Sequence, residues 1–123
     1  MFLLDTNVIS ELRKAGTSKV NPNVEKWAVS ISGQQTFISA ITIFELERGV
    51  LLMERRDPPQ GNILRQWLNN RVLTEYSERI IPVDTKIALA CASLHVPDPM
   101  PYYDALIAAT ALLASFNCGN TQY

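Results

Sequence analysis

Residues Phe2 to Leu12 read F-L-L-D-T-N-V-I-S-E-L. The apolar run Phe2-Leu3-Leu4 predicts a short buried strand, and Asp5-Thr6-Asn7 supplies helix-capping side chains ahead of Val8, Ile9 and Leu12. Strand, acidic turn and helix follow within eleven residues of one another, which is the opening of an α/β fold. In an open parallel sheet, ligands bind outside the carboxyl ends of the strands, so Asp5 falls where a functional residue belongs.

Outward from this turn the alternation continues. Lys14 to Lys19 reads as a loop, and Val24, Trp27, Ala28 and Ile31 then fall at helical spacing, with Asn21 or Asn23 as cap and Gly33 as terminator. Thr36 to Ala40 predicts a second strand leading into a long helix from about Thr42 to Arg56. Pro58-Pro59 and Gly61 predict a stop and a loop, followed by an amphipathic helix through Ile63, Leu64, Trp67, Leu68 and Val72. Ile80 to Val83 predicts a third short strand, weakened by Pro82. Asp84 or Thr85 caps a helix carrying Ile87, Ala88, Cys91 and Leu94, and the loop V-P-D-P-M-P precedes a last helix from about Tyr102 to Ala114. Strands alternating with helices predict an α/β sandwich around a mostly parallel sheet. Ser115 to Tyr123 is polar, without strand alternation, so this reading stops the sheet at three strands.

Composition bounds the possibilities. At 123 residues with 47% apolar content, the chain makes one domain with its own core. Eleven Lys plus Arg against twelve Asp plus Glu leave a net charge of −1, which argues against nucleic-acid binding by bulk positive charge. Cys91 and Cys118 form no C-x-x-C pair and His95 is the one histidine, so zinc-finger and zinc-ribbon spacing cannot be assembled. The N-terminal residues show neither the basic nor the apolar region of a signal peptide, and no apolar run reaches membrane-span length; a cytoplasmic protein with reduced thiols is expected.

Four carboxylates follow strands or open helices: Asp5, Glu45, Asp84 and Asp104. Convergent carboxylates hold raised pKa values unless a cation sits between them, and hard oxygen ligands suit Mg²⁺ or Mn²⁺. Such an ion holds phosphates and activates water without a histidine or cysteine. Each carboxylate also has a plainer reading. Asp5 could cap the first helix, and Thr42-x-x-Glu45 matches a capping box, which spacing alone favours. Asp84 before Thr85 reads as an ordinary cap, and Asp104 as a dipole partner or a ligand. His95, near a helix end, reads as structural, Cys91 as core, Trp27 and Trp67 as core-facing, and Arg55-Arg56 as a solvated helix end. Arg13 and Lys14, following the Asp5 turn, are candidates for phosphate contact.

Three stretches taken together, F-L-L-D-T-N-V-I-S-E-L, F-I-S-A-I-T-I-F-E-L-E-R-G-V (Phe37 to Val50) and P-M-P-Y-Y-D-A-L-I-A-A-T-A-L-L (Pro99 to Leu113), resemble the PIN-domain ribonucleases. The likeness is narrower still to the VapC/FitB-type toxins of bacterial toxin–antitoxin pairs. The resemblance implies a PIN-like three-layer sandwich and a metal-dependent endoribonuclease with bound Mg²⁺ or Mn²⁺. It also implies an antitoxin partner whose tail reaches an apolar groove, and a homodimer. On the matching positions it implies Asp5, Glu45 and Asp104 as the acidic site, supported by Asn7, which overturns the capping-box preference for Glu45 and leaves Asp84 as a cap. Family members continue into a further strand and a T-R-N-x-x-D-F-like stretch, whereas Ser115 to Tyr123 contains no Asp or Glu. The expected organisation is therefore a PIN-like domain over residues 1–114 and a non-family tail over 115–123, truncated or frameshifted, with Phe2 to Leu4 left as an exposed edge strand.

Two function classes follow. One is a ribonuclease toxin acting on RNA. The other is a catalytically impaired PIN-like module that only dimerises or binds antitoxin, for want of the fourth acidic residue. A third, an aspartyl-phosphate phosphotransferase, ranks below both, because Asp5-Thr6-Asn7 lacks the second aspartate of a D-x-D turn.

Overall fold

A computed structural model describes residues 2–13, 36–114 and 117–118. Strand β1 (Phe2–Leu4) runs into helix α1 (Thr6–Leu12), and β2 (Thr36–Ser39) into α2 (Ala40–Arg56). Helix α3 (Pro58–Trp67) continues through a wider π turn (Leu68–Val72) into the short α4 (Leu73–Glu75). Strand β3 (Ile80–Ile81), α5 (Thr85–Leu94), α6 (Tyr102–Ala114) and β4 (Asn117–Cys118) complete the order. The helix expected over Val24 to Ile31, with Trp27, lies outside the described residues, as does Lys14.

The sheet has the order β3-β2-β1-β4, and every pairing is parallel. Leu4 stands opposite Ile38, and Ile38 opposite Ile80, so these three apolar side chains form a row on one face. That row packs against Val8 and Ile9 of α1, Leu46 and Val50 of α2, and Leu68 and Val72 of the π turn. The opposite face takes Ile81 into a second cluster with Ile87 and Cys91 of α5 and Ala105 and Ala109 of α6. Helices thus cover both faces, which explains why Leu3 and Leu4 are both fully buried and why β1 reads as a continuous apolar run. The expected three-layer α/β sandwich with a parallel sheet is the observed one.

Two local expectations are corrected. The sheet does not stop at three strands: Asn117 and Cys118 pair with Phe2 and Leu3, so β1 lies inside the sheet rather than at its edge. A two-residue parallel bridge is made by backbone groups alone and leaves no side-chain alternation to read. Pro58-Pro59 does not open a loop either. The prolines occupy the first positions of α3, where no backbone N–H is needed, and Asp57 accepts a hydrogen bond from Gln60 N (3.3 Å) as the cap.

The α2–α3 pair is held closely. Gly61 is buried where α3 meets the backbone of Glu54 on α2, and Arg65 clasps both Glu47 carboxylate oxygens (2.6 and 2.8 Å) and reaches Glu54 as well (3.2 Å). At the start of β2, Arg79 donates to the Thr36 carbonyl (2.8 Å) and to the Glu75 carbonyl (2.9 Å), joining the α4 end to the sheet.

Candidate active site

Because all strands run parallel, β1, β2 and β3 end at the same edge of the sheet. The chain leaves β1 toward β2 on one side, while β4 lies on the other, so the strand order reverses at the carboxyl end of β1. Asp5 occupies that point. Its backbone is extended (φ −94°, ψ 179°), and its Oδ1 accepts from Val8 N at 3.0 Å. The two readings of Asp5, cap and functional carboxylate, are therefore compatible in one residue.

Helix α2 begins earlier than expected. Ser39, fully buried at the end of β2, is its cap and accepts from Ile41 N at 3.0 Å. Thr42 consequently lies inside the helix, and the Thr42–Glu45 capping box does not form. Glu45, half-buried, is free of that duty and accepts a 2.6 Å hydrogen bond from Thr6 Oγ1, the residue next to Asp5. The sequence alone points neither to Thr6 as the partner of Glu45 nor to Ser39 as the cap of α2. Thr6 carried a signal as the middle of the D-T-N turn, and Ser39 as a capping residue directly after an apolar strand.

Asp104 lies in the first turn of α6, exposed, where the helix dipole favours a negative charge. Burial raises the Asp5 pKa, the N–H groups of Val8 and Asn7 oppose the rise, and the charges of Glu45 and Asp104 add to it. Asp5, Glu45 and Asp104 thus share one electrostatic neighbourhood. Among the described residues, no three His, Cys, Asp or Glu side chains stand close enough to enclose an ion by themselves. The donor set still fits Mg²⁺ or a similar hard cation, which keeps several waters and takes one or two carboxylates plus substrate phosphates.

The remaining candidates take different places. Asn7 is exposed on the first turn of α1, with its N–H toward the Asp5 carboxylate. Arg13 caps the other end of α1, carried about 12 Å from Asp5 at about 1.5 Å per residue, and its guanidinium lies 5.9 Å from the Trp67 ring centre. Trp67 packs against the core as expected. Asp84 is a cap, accepting from Ile87 N at 2.9 Å. His95 is structural: its Nδ1 accepts from Met100 N (3.2 Å), which ties the proline-rich loop to the end of α5.

A helix-covered parallel sheet with a carboxylate at its switch point, and two more in the same electrostatic field, defines an acidic-site α/β domain. Residues 2–118 match the family model described as PIN domain, and the chain belongs to that family. Ribonuclease VapC14 of Mycobacterium tuberculosis is 46% identical over 72 residues, which cover 58% of this chain and 67% of that protein. Toxin FitB of Neisseria gonorrhoeae is 35% identical over 94 residues, covering 76% of this chain and 64% of FitB. The crystal structure of FitAcB from Neisseria gonorrhoeae superposes with a TM-score of 0.84 at 32% identity, over 96% of this chain and 85% of that one. Within the PIN family the chain is thus of the VapC/FitB ribonuclease-toxin type, and PIN-domain ribonucleases are generally dependent on a divalent metal.

Proposed function

We propose that this chain hydrolyses RNA phosphodiester bonds as the toxin of a toxin–antitoxin pair, with Asp5, Glu45 and Asp104 holding Mg²⁺ or Mn²⁺. The observation that carries the reading is geometric: Asp5 stands at the carboxyl end of β1, where the strand order reverses, and Glu45 is bonded to the adjoining Thr6; burial and the charges of Glu45 and Asp104 raise the Asp5 pKa there. Such a group gains most from a cation beside it. When bound, the ion supplies charge neutralisation for the phosphate and lowers the pKa of a coordinated water. The protein's own part is placement. Val8 N–H holds Asp5, the Thr6 hydroxyl orients Glu45, and the first turn of α6 presents Asp104. No histidine or cysteine is required, in keeping with His95 and Cys91 serving the loop and the core.

No helix among the described residues is long and apolar enough to cross a membrane, and the proposed setting is the cytoplasm, with a cognate antitoxin and a second copy of the chain as partners. An RNA-cleavage assay with Mg²⁺ or Mn²⁺, against EDTA and against Asp5→Asn, tests the proposal. Cleavage by the parent chain that EDTA and Asp5→Asn abolish is expected; cleavage persisting in Asp5→Asn places the site elsewhere. A tight antitoxin complex without any cleavage supports instead the impaired binding module.

A further inference from the structure

Immediately before each of two acidic residues stands an aromatic one: Phe44 before Glu45, and Tyr103 before Asp104. The structure brings these rings together across α2 and α6, with centroids 5.2 Å apart and planes tilted by 48°. Neither ring is sunk into the core. Phe44 remains 46% exposed and Tyr103 37% exposed. One turn beyond Phe44, the Arg48 guanidinium lies 5.5 Å from the Phe44 ring centre and 5.6 Å from that of Tyr103. Among the described residues Arg48 has no carboxylate partner, in contrast to Arg65 and Arg79, which are both engaged by acids.

We propose that Phe44, Tyr103 and Arg48 form a stacking platform for a base of single-stranded RNA next to the phosphodiester held at the acidic site. The inference rests on the ribonuclease reading and deepens it. Aromatic rings and guanidinium planes are the surfaces on which unpaired bases stack, whatever their identity, and a guanidinium adds a charge for the adjoining phosphate. The local charge pattern fits that occupant: Arg48, over both rings, offers a positive charge to a polyanion beside carboxylates one residue away on both helices. In a chain of net charge −1, substrate cannot be gathered by bulk charge, so contacts of this local kind must contribute to affinity. A base held here would also set which bond of the strand meets Asp5, Glu45 and Asp104.

The test uses a short fluorescein-labelled single-stranded oligoribonucleotide, with binding measured by anisotropy in the Asp5→Asn background and cleavage kinetics measured in the parent chain. Phe44→Leu and Tyr103→Leu should each weaken binding about tenfold and raise KM with little change in kcat, while Phe44→Tyr retains binding. Tyr102→Leu is the control, since Tyr102 is exposed in the same turn of α6 but packs on His95 (5.0 Å) instead. Cleavage by the parent with RNA affinity and KM unchanged in Phe44→Leu and Tyr103→Leu, or reduced no more than in Tyr102→Leu, overturns the platform and leaves the ribonuclease reading standing. Unchanged RNA binding with lost binding of a co-expressed antitoxin assigns this face to a protein partner and likewise overturns it. A folded parent chain that neither binds nor cleaves RNA overturns the ribonuclease reading, and the platform with it.

Discussion

The Thr6 hydroxyl donates a 2.6 Å hydrogen bond to Glu45 Oε1, joining the turn after β1 to the second turn of α2 across 39 positions of sequence. Thr6 thereby fixes one carboxylate of the proposed site relative to the adjoining Asp5. Partners of this kind orient a ligating carboxylate, and their loss typically costs about 10- to 100-fold in metal affinity or activity. Thr6→Val, which keeps the shape and removes the donor, should lower divalent-metal affinity and kcat by about tenfold, whereas Thr6→Ser should restore both. Calorimetric metal titration of the three proteins alongside cleavage kinetics checks this. Equal metal affinity in Thr6→Val and the parent would show that the hydrogen bond only braces the fold.

Asp5 should make the metal-free protein less stable at neutral pH. Burial raises its pKa above the ordinary value of 3.8, with Glu45 and Asp104 adding to the rise. A carboxyl group with a raised folded-state pKa binds more protons in the folded than in the unfolded chain. Its contribution to stability therefore falls as pH rises from 3.8 through the folded pKa, and the penalty is fully present above that range. Asn is as good a helix cap as Asp, so Asp5→Asn keeps the bond from Val8 while removing the charge. Urea unfolding in EDTA should find Asp5→Asn more stable than the parent at pH 7, with the difference shrinking toward pH 4. Mg²⁺ or Mn²⁺ at pH 7 should raise the midpoint of the parent and not that of Asp5→Asn.

Two glycines of neighbouring helices should respond oppositely to alanine. A Cβ on Gly61 would clash with the Glu54 Cα and backbone N, and neither backbone atom can yield without moving α2 from α3. Gly61→Ala should cost about 1–3 kcal/mol as overpacking and disturb the Arg65 clasp on Glu47. Around Gly49, on the exposed side of α2, a Cβ would meet none of the described residues within 4 Å. Gly49→Ala should stabilise by about 0.5–1 kcal/mol, through the lower backbone entropy of Ala in the unfolded chain. Thermal unfolding of the two variants checks both signs.

How far the residues themselves disclose this architecture depends on the range of the interaction involved. Strand–helix alternation, the Asp84 cap and the span of α6 are local matters and were legible. Spacing alone favours a capping box for Glu45, and it is the likeness of the Phe37 to Val50 stretch to the PIN family that assigns it to the acidic site; the Ser39 cap and the long-range bond from Thr6 then show why the box does not form. Strand β4 left no side-chain pattern because its pairing with β1 is purely backbone. Arg13 follows the Asp5 turn closely in sequence, yet α1 intervenes and carries it to Trp67. Phe44 and Tyr103 are 59 positions apart in sequence, and only the packing of α6 on α2 brings their rings together.

Thr42 is the clearest case of a polar residue whose hydroxyl does nothing for the fold. With the cap supplied by Ser39, Thr42 lies within α2, fully buried, and among the described residues its Oγ1 has no hydrogen-bond partner. A buried hydroxyl with no partner forfeits its hydration without return, at a cost of about 1–3 kcal/mol. Thr42→Val replaces that hydroxyl by a methyl group of similar size and keeps the β-branched shape. Stability should rise by about 1 kcal/mol, read as a higher urea midpoint with an unchanged slope. Thr42→Ser keeps the orphaned hydroxyl and loses the methyl group, so it should be less stable than the parent by a similar amount. A Thr42→Val protein less stable than the parent would mean that the hydroxyl is satisfied in solution, and a high-resolution structure of the variant would then show which group or water it had held.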